Sequence, residues 1–502
     1  MHPKIKMVMI NLNGRGNCSV METTRGSLTF QTIGSAFVQG GVHDFRFLPS
    51  QNTTIYPFTA ENVKAQTAFM NELTDVWEPG VHYVFGLSVM TDNYFKVKPM
   101  AAVIKELFPD ALIVGGGPHF KRENLDYGVW DSVEVALRLD GLDAVVVGDI
   151  QPMTELLTTY DGQLENVDLL RTRGLYFLNQ NGNVAGSGLG RYPDFKSVPY
   201  VFTPSGRVSI MTERGCRQAC GFCSLNPGRL GFSEELIVAA LKEIYRLYAD
   251  KATDLHFINS NPFEPHKVER FLRILDRADE GEEVVMPKSS YLDPSLLLQP
   301  KAFEYLMRLV MHGFISFFIG RDATDWETAR EIGSNLGGRR RPKSQEQLDQ
   351  EGEKIRRLIQ ELKVCETPWE GDFRHYRIDL MYIVSPFMTK ERVCGMLDDM
   401  QRMEELTDER VFVKAAFRPL WPYPGTDVRS RYLRHAADPE FREQEHYHPR
   451  PWLSQAVRAE FAQRFIDATN IEEFDNLWKR RHELGASIYN MIRDAIPEFL
   501  GF

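Results

Sequence analysis

Residues 5–160 alternate between short apolar runs and stretches with helical spacing. The apolar runs predict strands at residues 5–10, 44–48, 82–88, 111–114 and 143–147. Helical spacing of apolar side chains predicts helices over residues 29–39 and 100–107. Strands that alternate with helices are typical of an α/β fold with a parallel, doubly wound sheet. Ligands of such a sheet bind beyond the carboxyl ends of the strands, where the glycine-bearing loops of this segment fall.

The middle of the chain repeats the alternation six times. It predicts strands at residues 207–213, 255–258, 284–286, 314–319, 376–384 and 411–418. Helical patterns lie between most of these strands. Ser233 is predicted to cap the first helix, and Ser344 with Gln347 forms a capping box that opens a helix over residues 344–364. Six strand-plus-helix units predict a second parallel α/β sheet, with ligands beyond the C-terminal ends of its strands.

The last segment changes character at about residue 436. A polar stretch broken by prolines is followed by helical patterns over residues 453–469 and 471–492. These patterns predict a C-terminal helical segment. His446 and His448 have a spacing that a metal could use, but no third ligand is apparent, and we interpret them as an exposed loop pair.

Composition and charge exclude several classes of protein. With 43% hydrophobic and 25% charged residues, the chain has the composition of a soluble globular protein. Its formal net charge of −10 argues against a nucleic-acid groove as the main surface. No apolar run approaches the length of about 18 residues that spans a bilayer, and the N-terminus lacks the pattern of a signal peptide. We therefore expect a cytoplasmic protein that binds neither membranes nor nucleic acids.

Three of the six cysteines fall within one short stretch. Cys216, Cys220 and Cys223 have the spacing C-x3-C-x2-C. A structural zinc site needs four protein ligands, whereas three clustered thiolates leave one coordination position open. A cubic 4Fe–4S cluster held by three cysteines has one iron free to bind a small molecule. A zinc knuckle or an electron-transfer cluster, serving a non-catalytic binding module, is the alternative hypothesis.

With the aromatic Phe222 before its last cysteine, this stretch resembles the signature of the radical SAM enzymes. The resemblance implies a partial (β/α)6 barrel, S-adenosylmethionine (SAM) bound to the open iron, and Phe222 packed against the adenine. Two further landmarks of that family are altered here, as Phe257-Ile-Asn-Ser260 and Gly320-Arg-Asp-Ala323. The resemblance places Asn259, Ser260 and Asp322 at SAM. Residues 419–426 resemble the segment that ends the barrel.

The N-terminal part resembles the cobalamin-binding domain that is fused to many radical SAM enzymes. The likeness rests on Gly86-Leu-Ser88, on residues 108–119 and on residues 145–149. It implies cobalamin contacts from the following residues: Asn13, Ser88, Gly115, Gly116, Gly117 and Gly148. The Asp-x-His-x-x-Gly motif that supplies a cobalt ligand in cobalamin mutases is absent from the sequence. We interpret His119 as a loop or core residue.

The combined resemblance implies four segments. They are a cobalamin-binding-like domain (1–165), a hairpin and linker (166–204), a radical SAM barrel (205–432) and a C-terminal helical cap (433–502). Arg321, Arg418 and Tyr423 are candidate substrate contacts.

The implied activity is transfer of a methyl group from methylcobalamin to an unactivated carbon of a small metabolite, through a 5′-deoxyadenosyl radical. Flavodoxin or ferredoxin would supply the electron. An alternative is rearrangement, cyclisation or dehydration without methyl transfer, with or without bound cobalamin.

Overall fold

The described residues of the chain form two α/β units. The computed structural model describes residues 4–12, 28–48, 59–65, 67–90, 94, 96–122, 131–191, 197–203, 207–216, 218, 220–223, 230–248, 253–258, 267–280, 286–335, 342–366, 375–385, 388–420, 423 and 425–430. Of these, the first unit contains residues 4–203 and 423–430, and the second contains residues 207–420. The predicted helical cap, with His446 and His448, lies outside the described residues.

A seven-stranded sheet forms the centre of the first unit. Its order is β2-β1-β3-β4-β5-β6-β7, in which β1 to β5 are parallel and β6 and β7 are antiparallel additions. The elements are β1 (Lys4–Asn11), α1 (Leu28–Gln39), β2 (Phe45–Leu48), α2 (Ala60–Lys64), α3 (Thr67–Thr74), β3 (Val81–Ser88), α4 (Val97–Leu107), β4 (Leu112–Gly116), α5 (Ser132–Leu139), β5 (Ala144–Val146), α6 (Gln151–Thr159), β6 (Leu175–Leu178), β7 (Val184–Gly186) and β8 (Tyr200–Thr203).

Both faces of this sheet are buried under helices. On the face that packs with α4 and α5, the strand side chains include Val8, Ile10, Phe85, Ile113 and Val145. On the face that packs with α1 and α6, they include Met7, Met9, Val84, Val114 and Ala144. Successive strand residues alternate between faces, so a parallel sheet covered on both sides reads as a continuous apolar run. The predicted doubly wound sheet is confirmed.

The β6–β7 hairpin belongs to the same sheet as the strands before it. It lies in the segment predicted as a separate hairpin and linker, and β6 pairs antiparallel with β5. Gly174 and Gly190 make the join, because the Val147 amide donates to the Gly174 carbonyl (2.8 Å) and the Gly190 amide donates to the Val147 carbonyl (2.7 Å). A Cβ on Gly174, where φ is +99°, would lie 2.1 Å from the Gly190 nitrogen.

Six parallel strands form the second unit in sequence order, β9-β12-β13-β14-β15-β16, with β10 and β11 paired apart from them. The elements are β9 (Arg207–Ile210), β10 (Glu213–Arg214), β11 (Leu230–Gly231), α7 (Glu234–Tyr248), β12 (Asp254–Phe257), α8 (Val268–Asp279), β13 (Lys288–Leu292), α9 (Pro294–Leu297), α10 (Ala302–Met311), β14 (Phe314–Asp322), α11 (Trp326–Ile332), α12 (Gln345–Lys363), β15 (Tyr376–Val384), α13 (Lys390–Glu404) and β16 (Val411–Pro419). The predicted repeat of strand and helix, of the kind found in parallel barrels, is confirmed. The predicted capping box at the start of α12 is confirmed as well.

The third strand of this sheet is Lys288–Leu292, so the strand predicted at residues 284–286 is misplaced; of those residues only Met286 is described, and it precedes the strand. Its first three side chains are polar and fully buried. The Lys288 ammonium donates to the His312 carbonyl (2.7 Å), and the Ser290 hydroxyl donates to the Phe257 carbonyl (3.4 Å). Burial lowers the pKa of Lys288 to about 8. A strand that buries hydrogen-bonded polar groups lacks the apolar run by which the other strands were found.

The strand predicted at residues 207–213 is also shorter than expected. It ends at Ile210, and Glu213–Arg214 pairs instead with Leu230–Gly231. Within the part of the chain that the structure describes, no helix combines the length and apolar character needed to cross a bilayer.

Replacing Gly174 by alanine tests the join between the hairpin and the sheet. We expect Gly174→Ala to lower the free energy of unfolding by about 3 kcal/mol or more, because backbone strain adds to a collision with backbone atoms. Gly182 has φ +71° and no atom within 4 Å of an added Cβ. Gly182→Ala should therefore cost only about 1–2 kcal/mol. Urea denaturation measures both, and equal losses would contradict the crowding at Gly174.

Candidate functional site

The three clustered cysteines lie on one loop after the first strand of the second unit. We call residues 215–223 the cysteine loop. The pairing of Glu213–Arg214 with Leu230–Gly231 closes the chain around it. Gly215 begins the loop with φ +84°, and the Cys223 amide donates to the Cys220 carbonyl (3.1 Å). The cysteines therefore lie beyond the carboxyl end of β9, the edge at which parallel barrels place their chemistry.

Two other parts of the second unit hold this loop. The Gly221 amide donates to the carbonyl of Gly333, which follows α11 (2.8 Å). The Asn335 side-chain amide donates to the Gln218 carbonyl (3.3 Å). The Gln218 side chain in turn donates to the Asp293 carboxylate (2.7 Å), which follows β13. The cysteine loop is thus connected to the end of β13 and to the turn after α11, which lie far from it in sequence.

Asp322 ends β14 in an unusual backbone conformation. Its φ is +51°, and no other non-glycine residue in the described ranges has a positive φ. The register between β14 and β15 shifts between Gly320 and Asp322. The Asp322 carboxylate accepts a hydrogen bond from the Ser334 hydroxyl (2.9 Å), and its burial raises its pKa. Its predicted contact with SAM stays a prediction.

Cys220 is the thiol most affected by this environment. Burial, followed by the charge of Asp322, raises the pKa of Cys220 to about 12, and a hydrogen bond with the Asn335 backbone opposes the shift. Asp322 and Asn335 therefore both lie close to the Cys220 sulfur. This thiol is therefore protonated at neutral pH, and binding of a metal at its sulfur would require loss of the proton.

Arg321 lies among buried charges. Its guanidinium donates to the Leu348 carbonyl (2.8 Å) and lies 3.5 Å from the carboxylate of Asp399 and 3.8 Å from that of Glu351. Glu351 also pairs with Lys343 (3.0 Å). With 3% of its surface exposed, Arg321 packs β14 against α12. Its predicted role as a substrate contact stays a prediction.

The cysteine loop carries the donors that an iron–sulfur cluster requires. Cys216, Cys220 and Cys223 are not joined in disulfides, and each side chain is neither fully buried nor fully exposed. Among the described residues, no three His, Cys, Asp or Glu side chains could hold a metal ion. That result concerns a shared ion, whereas each thiolate of a 4Fe–4S cluster binds a different iron and the three can stand further apart. The donor set fits the cluster, and it does not fit a closed zinc site.

The inner face of the second sheet carries polar residues that the sequence did not single out. Phe257 packs against Phe271 of α8, with ring centroids 5.1 Å apart. Since strand side chains alternate, Asp254 and His256 lie on the opposite face. Asp254 pairs with Arg207 of the neighbouring strand (2.8 Å). Because this face is turned away from the helices, it is the interior of the barrel-type sheet.

His256 is held as a neutral imidazole on that inner face. The Ser289 hydroxyl donates its one proton to Asp254 (3.2 Å), so its oxygen accepts from Nδ1–H of His256 (2.8 Å). This tautomer leaves Nε2 as the hydrogen-bond acceptor. Burial, followed by the charge of Arg207, lowers the pKa of His256 to about 3. His256 therefore remains neutral throughout the physiological range.

In the first unit, the predicted cobalamin glycines differ in how much space surrounds them. An added Cβ would lie 2.4 Å from Leu142 at Gly115, 2.2 Å from the Val89 carbonyl at Gly117, and 2.7 Å from the Gly190 nitrogen at Gly148. At these three positions the chain itself occupies the space. At Gly116 the nearest atom is the Val146 Cβ, at 3.9 Å.

Gly116 and Ser88 lie side by side at the carboxyl ends of β4 and β3. Both are partly exposed. Of the predicted cobalamin glycines, Gly116 is the one where an added Cβ would make no close contact. The predicted contact Asn13 lies outside the described residues.

His119 is a core residue, as interpreted from the sequence. It is 3% exposed, and its ring stacks on Tyr94 with centroids 3.9 Å apart. Burial, followed by the charge of Arg429, lowers its pKa to about 3. An imidazole packed in this way does not reach a ligand beyond the strand ends.

The remaining predicted site residues are only partly described. Asn259 and Ser260 lie outside the described residues. Arg418 lies near the end of β16, paired with Ile383, and the orientation of its side chain is not described. Phe222 is half-buried on the cysteine loop. Tyr423 belongs to the first unit, whereas the predicted barrel runs to residue 432.

Sequence reasoning missed the residues that support the cysteine loop. These residues are polar or small, and they are scattered over more than 100 positions of the chain. They are Gln218, Asp293, Gly333 and Asn335. Gly333 offered one local signal, since a glycine directly after a helical pattern favours a left-handed helix cap. That signal indicates where α11 ends, but it does not indicate what the cap contacts.

The fold resembles one group of solved structures. The cobalamin-dependent S-adenosylmethionine radical enzyme OxsB, with aqua-cobalamin and S-adenosylmethionine bound, matches 91% of this chain at 13% identity and a TM-score of 0.55. The structure of OxsB with aqua-cobalamin bound matches 91% of the chain at 13% identity, with a TM-score of 0.54. In both comparisons the match spans 58% of the OxsB chain. The predicted resemblance is confirmed at the level of the fold.

No family model matches the sequence, and comparison with curated proteins found no match. Coproporphyrinogen III oxidase (HemN) from Escherichia coli, a radical SAM enzyme, matches 50% of this chain and 57% of its own, at 18% identity and a TM-score of 0.26. That score is too low to support a shared fold.

The two buried histidines predict acid sensitivity. Their pKa values are lowered from 6.5 to about 3, so between these values the unfolded chain binds protons that the folded chain does not. The contribution of these two histidines to the free energy of unfolding is therefore complete above pH 6.5, and it is lost as the pH falls towards 3. The loss is about 1.4 kcal/mol per pH unit for each histidine.

Urea denaturation at a series of pH values measures this slope. His256→Gln should reduce it. His82→Gln, at an exposed position of β3, should leave it unchanged. A slope that is the same in all three proteins would show that His256 is charged in the folded state.

Proposed function

We propose that this chain is a radical SAM enzyme. The observation that carries the proposal is the C-x3-C-x2-C cysteine loop, which lies at the carboxyl end of β9 in a fold that resembles OxsB over 91% of the chain. Neither part suffices alone, since folds host many functions and clustered cysteines also bind zinc. Their combination supports a cluster placed where barrel enzymes carry out chemistry.

Cys216, Cys220 and Cys223 would hold a 4Fe–4S cluster. When bound, the cluster and SAM supply a 5′-deoxyadenosyl radical, with one electron from an external reductant such as flavodoxin or ferredoxin. The protein then has to orient SAM and exclude competing hydrogen donors. Phe222, one residue before Cys223, would pack against the adenine. Asp322, Asn259 and Ser260 remain the proposed polar contacts of SAM.

The inner face of the second sheet would bind a small-molecule substrate. Tyr291 and Phe318 surround His256, with ring centroids 6.1 and 5.7 Å from the imidazole. Tyr291 is 47% exposed, so part of this aromatic surface is accessible. Tyr291 and Asp293 lie two residues apart, and Asp293 holds the cysteine loop through Gln218. A substrate on this surface would therefore lie near the site of radical formation.

We further propose that the first unit binds cobalamin and that the reaction transfers a methyl group to an unactivated carbon. The likeness to OxsB, a cobalamin-dependent enzyme, supports this, as does the open position at Gly116 beside Ser88. When bound, cobalamin would carry the methyl group to the substrate. His119 is buried against Tyr94, so we assign it no contact with cobalt.

A second candidate is a radical SAM enzyme that catalyses rearrangement, cyclisation or dehydration without methyl transfer. The observation in its favour is the crowding at Gly115, Gly117 and Gly148. The chain itself requires glycine at these positions, so their presence is no evidence of a cofactor. In this candidate the first unit acts as a scaffold.

Removal of one thiol tests the cluster. After anaerobic reconstitution, we expect the wild-type protein to bind about four irons per chain. Cys220→Ala should bind less than about one, because two thiolates do not retain a cubane. Cys365→Ala is the control, since Cys365 follows α12, away from the loop, and should load as the wild type does. A colourless protein that binds zinc would contradict the proposed function.

Anaerobic turnover with SAM deuterated in its methyl group distinguishes the two candidates. Labelled product together with S-adenosylhomocysteine and 5′-deoxyadenosine supports methyl transfer. 5′-Deoxyadenosine with an unmethylated product supports the second candidate.

Paired substitutions at Gly116 test the cobalamin site. Gly116→Ala should retain cobalamin absorbance after reconstitution, because its Cβ makes an ordinary contact with Val146. Gly116→Leu should abolish it while iron content stays unchanged, because the larger side chain occupies the open space beside Ser88. Retention of cobalamin by Gly116→Leu would place the cofactor elsewhere.

A further inference from the structure

The turn after α11 lies against the cysteine loop. We call residues 333–335 the capping turn. Gly333 ends α11 in the left-handed conformation, with φ +67°, and its amide bonds to the carbonyls of Ala329 and Arg330. The Ser334 amide donates to the Ala329 carbonyl as well (2.8 Å). These bonds satisfy the last carbonyls of the helix, as glycine caps usually do.

The capping turn also contacts both spacers of the C-x3-C-x2-C motif. Its Gly333 carbonyl accepts from Gly221, which lies between Cys220 and Cys223 (2.8 Å). Its Asn335 side chain donates to the carbonyl of Gln218, which lies between Cys216 and Cys220 (3.3 Å). One hydrogen bond therefore fixes each of the two intervals between cysteines.

The capping turn is itself rigidly held. Ser334 is fully buried, and its hydroxyl donates to Asp322 at the end of β14 (2.9 Å). Asn335 forms an antiparallel bridge with Pro342, and the Lys343 amide donates to the Ser334 carbonyl (3.2 Å). The hydrogen bonds to the cysteine loop thus come from a segment anchored to the sheet.

Glycine is required at position 333 for two separate reasons. A side chain would be strained at φ +67°. In addition, its Cβ would lie 2.9 Å from both the Cα and the nitrogen of Gly221. The second reason involves the cysteine loop directly, because the contact is relieved when the backbone between Cys220 and Cys223 and that of the capping turn move apart.

We propose that Gly333 and Asn335 are positioning residues for the iron–sulfur cluster, and that the capping turn is a template that spaces the three thiols before iron binds. The inference rests on the proposed function, because it assumes that these thiols bind iron. Fixing the backbone of each loop residue costs about 1–2 kcal/mol of conformational entropy. A template that holds the two spacers orders them when the chain folds. Part of the entropy cost therefore falls on folding and not on iron binding, so iron binds to an ordered loop.

Three variants test the template. Asn335→Ala removes one hydrogen bond to the loop. Gly333→Ala adds backbone strain and the collision with Gly221. Gly333→Asn retains the collision but lessens the strain, since asparagine tolerates the left-handed conformation. Gly313→Ala is the matched control, because Gly313 follows α10 with φ +90° in the same unit and makes no contact with the cysteine loop in the described structure.

The measurements are the rate of anaerobic reconstitution with ferrous iron and sulfide, the iron content, and the electron paramagnetic resonance spectrum of the reduced protein. We expect Asn335→Ala to reconstitute about three- to tenfold more slowly, as the loss of one hydrogen bond predicts. Both Gly333 variants should be slowed more than tenfold and should give an altered resonance lineshape. Gly313→Ala should load at the wild-type rate, with an unchanged spectrum.

Two outcomes would overturn the template. One is wild-type loading and lineshape in Asn335→Ala and Gly333→Asn, while the wild-type protein binds iron and cleaves SAM; the proposed function would then stand without it. The other is slower loading in Gly313→Ala equal to that of the Gly333 variants, because the effect would then come from general destabilisation. A wild-type protein that binds no iron would refute the proposed function and the template together.

Discussion

The hydrogen bond from the Gly221 amide to the Gly333 carbonyl connects the cysteine loop to the rest of the second unit. A loop with three cysteines in eight residues has little room for contacts of its own. Through the residues around Gly333, the loop is joined to α11 and to the end of β14. Through Gln218 and Asp293 it is joined to the end of β13. The ends of the parallel strands thereby provide a rigid edge that holds the cysteine loop in one arrangement.

Glycine occurs at the strand ends of the first unit for two different structural reasons, and the sequence does not distinguish them. Gly148 and Gly117 are glycines because neighbouring backbone occupies the place of a side chain. At Gly116 the place of a side chain is open. All three follow or end apolar strands, so in the amino-acid sequence all three resemble ligand-binding glycines. Only the packing of Gly190 and Val89 against the strand ends reveals that two of the three positions are already filled.

The sequence predicted those elements whose burial is apolar. β1, β3 and β15 are rich in buried hydrophobic residues and were located within one or two positions. β13 was misplaced because it buries Lys288 and two serines, whose burial depends on partners such as His312 that are distant in sequence. The three candidate cysteine ligands were apparent from their spacing. Their supports were not, since Asn335 and Gln218 are 117 residues apart and neither has a distinctive local pattern.

The β6–β7 hairpin has a consequence for how the protein behaves among other copies of itself. Without it, β5 would be an open edge of three apolar residues, the kind of edge that recruits strands from other chains. The hairpin covers that edge and replaces it with β7, which has only three residues. β7 ends at Gly186 with φ +130°, a backbone conformation outside the usual range of a strand. A short strand with a distorted end is a poor template for aggregation, so this side of the sheet is protected during folding and at high concentration.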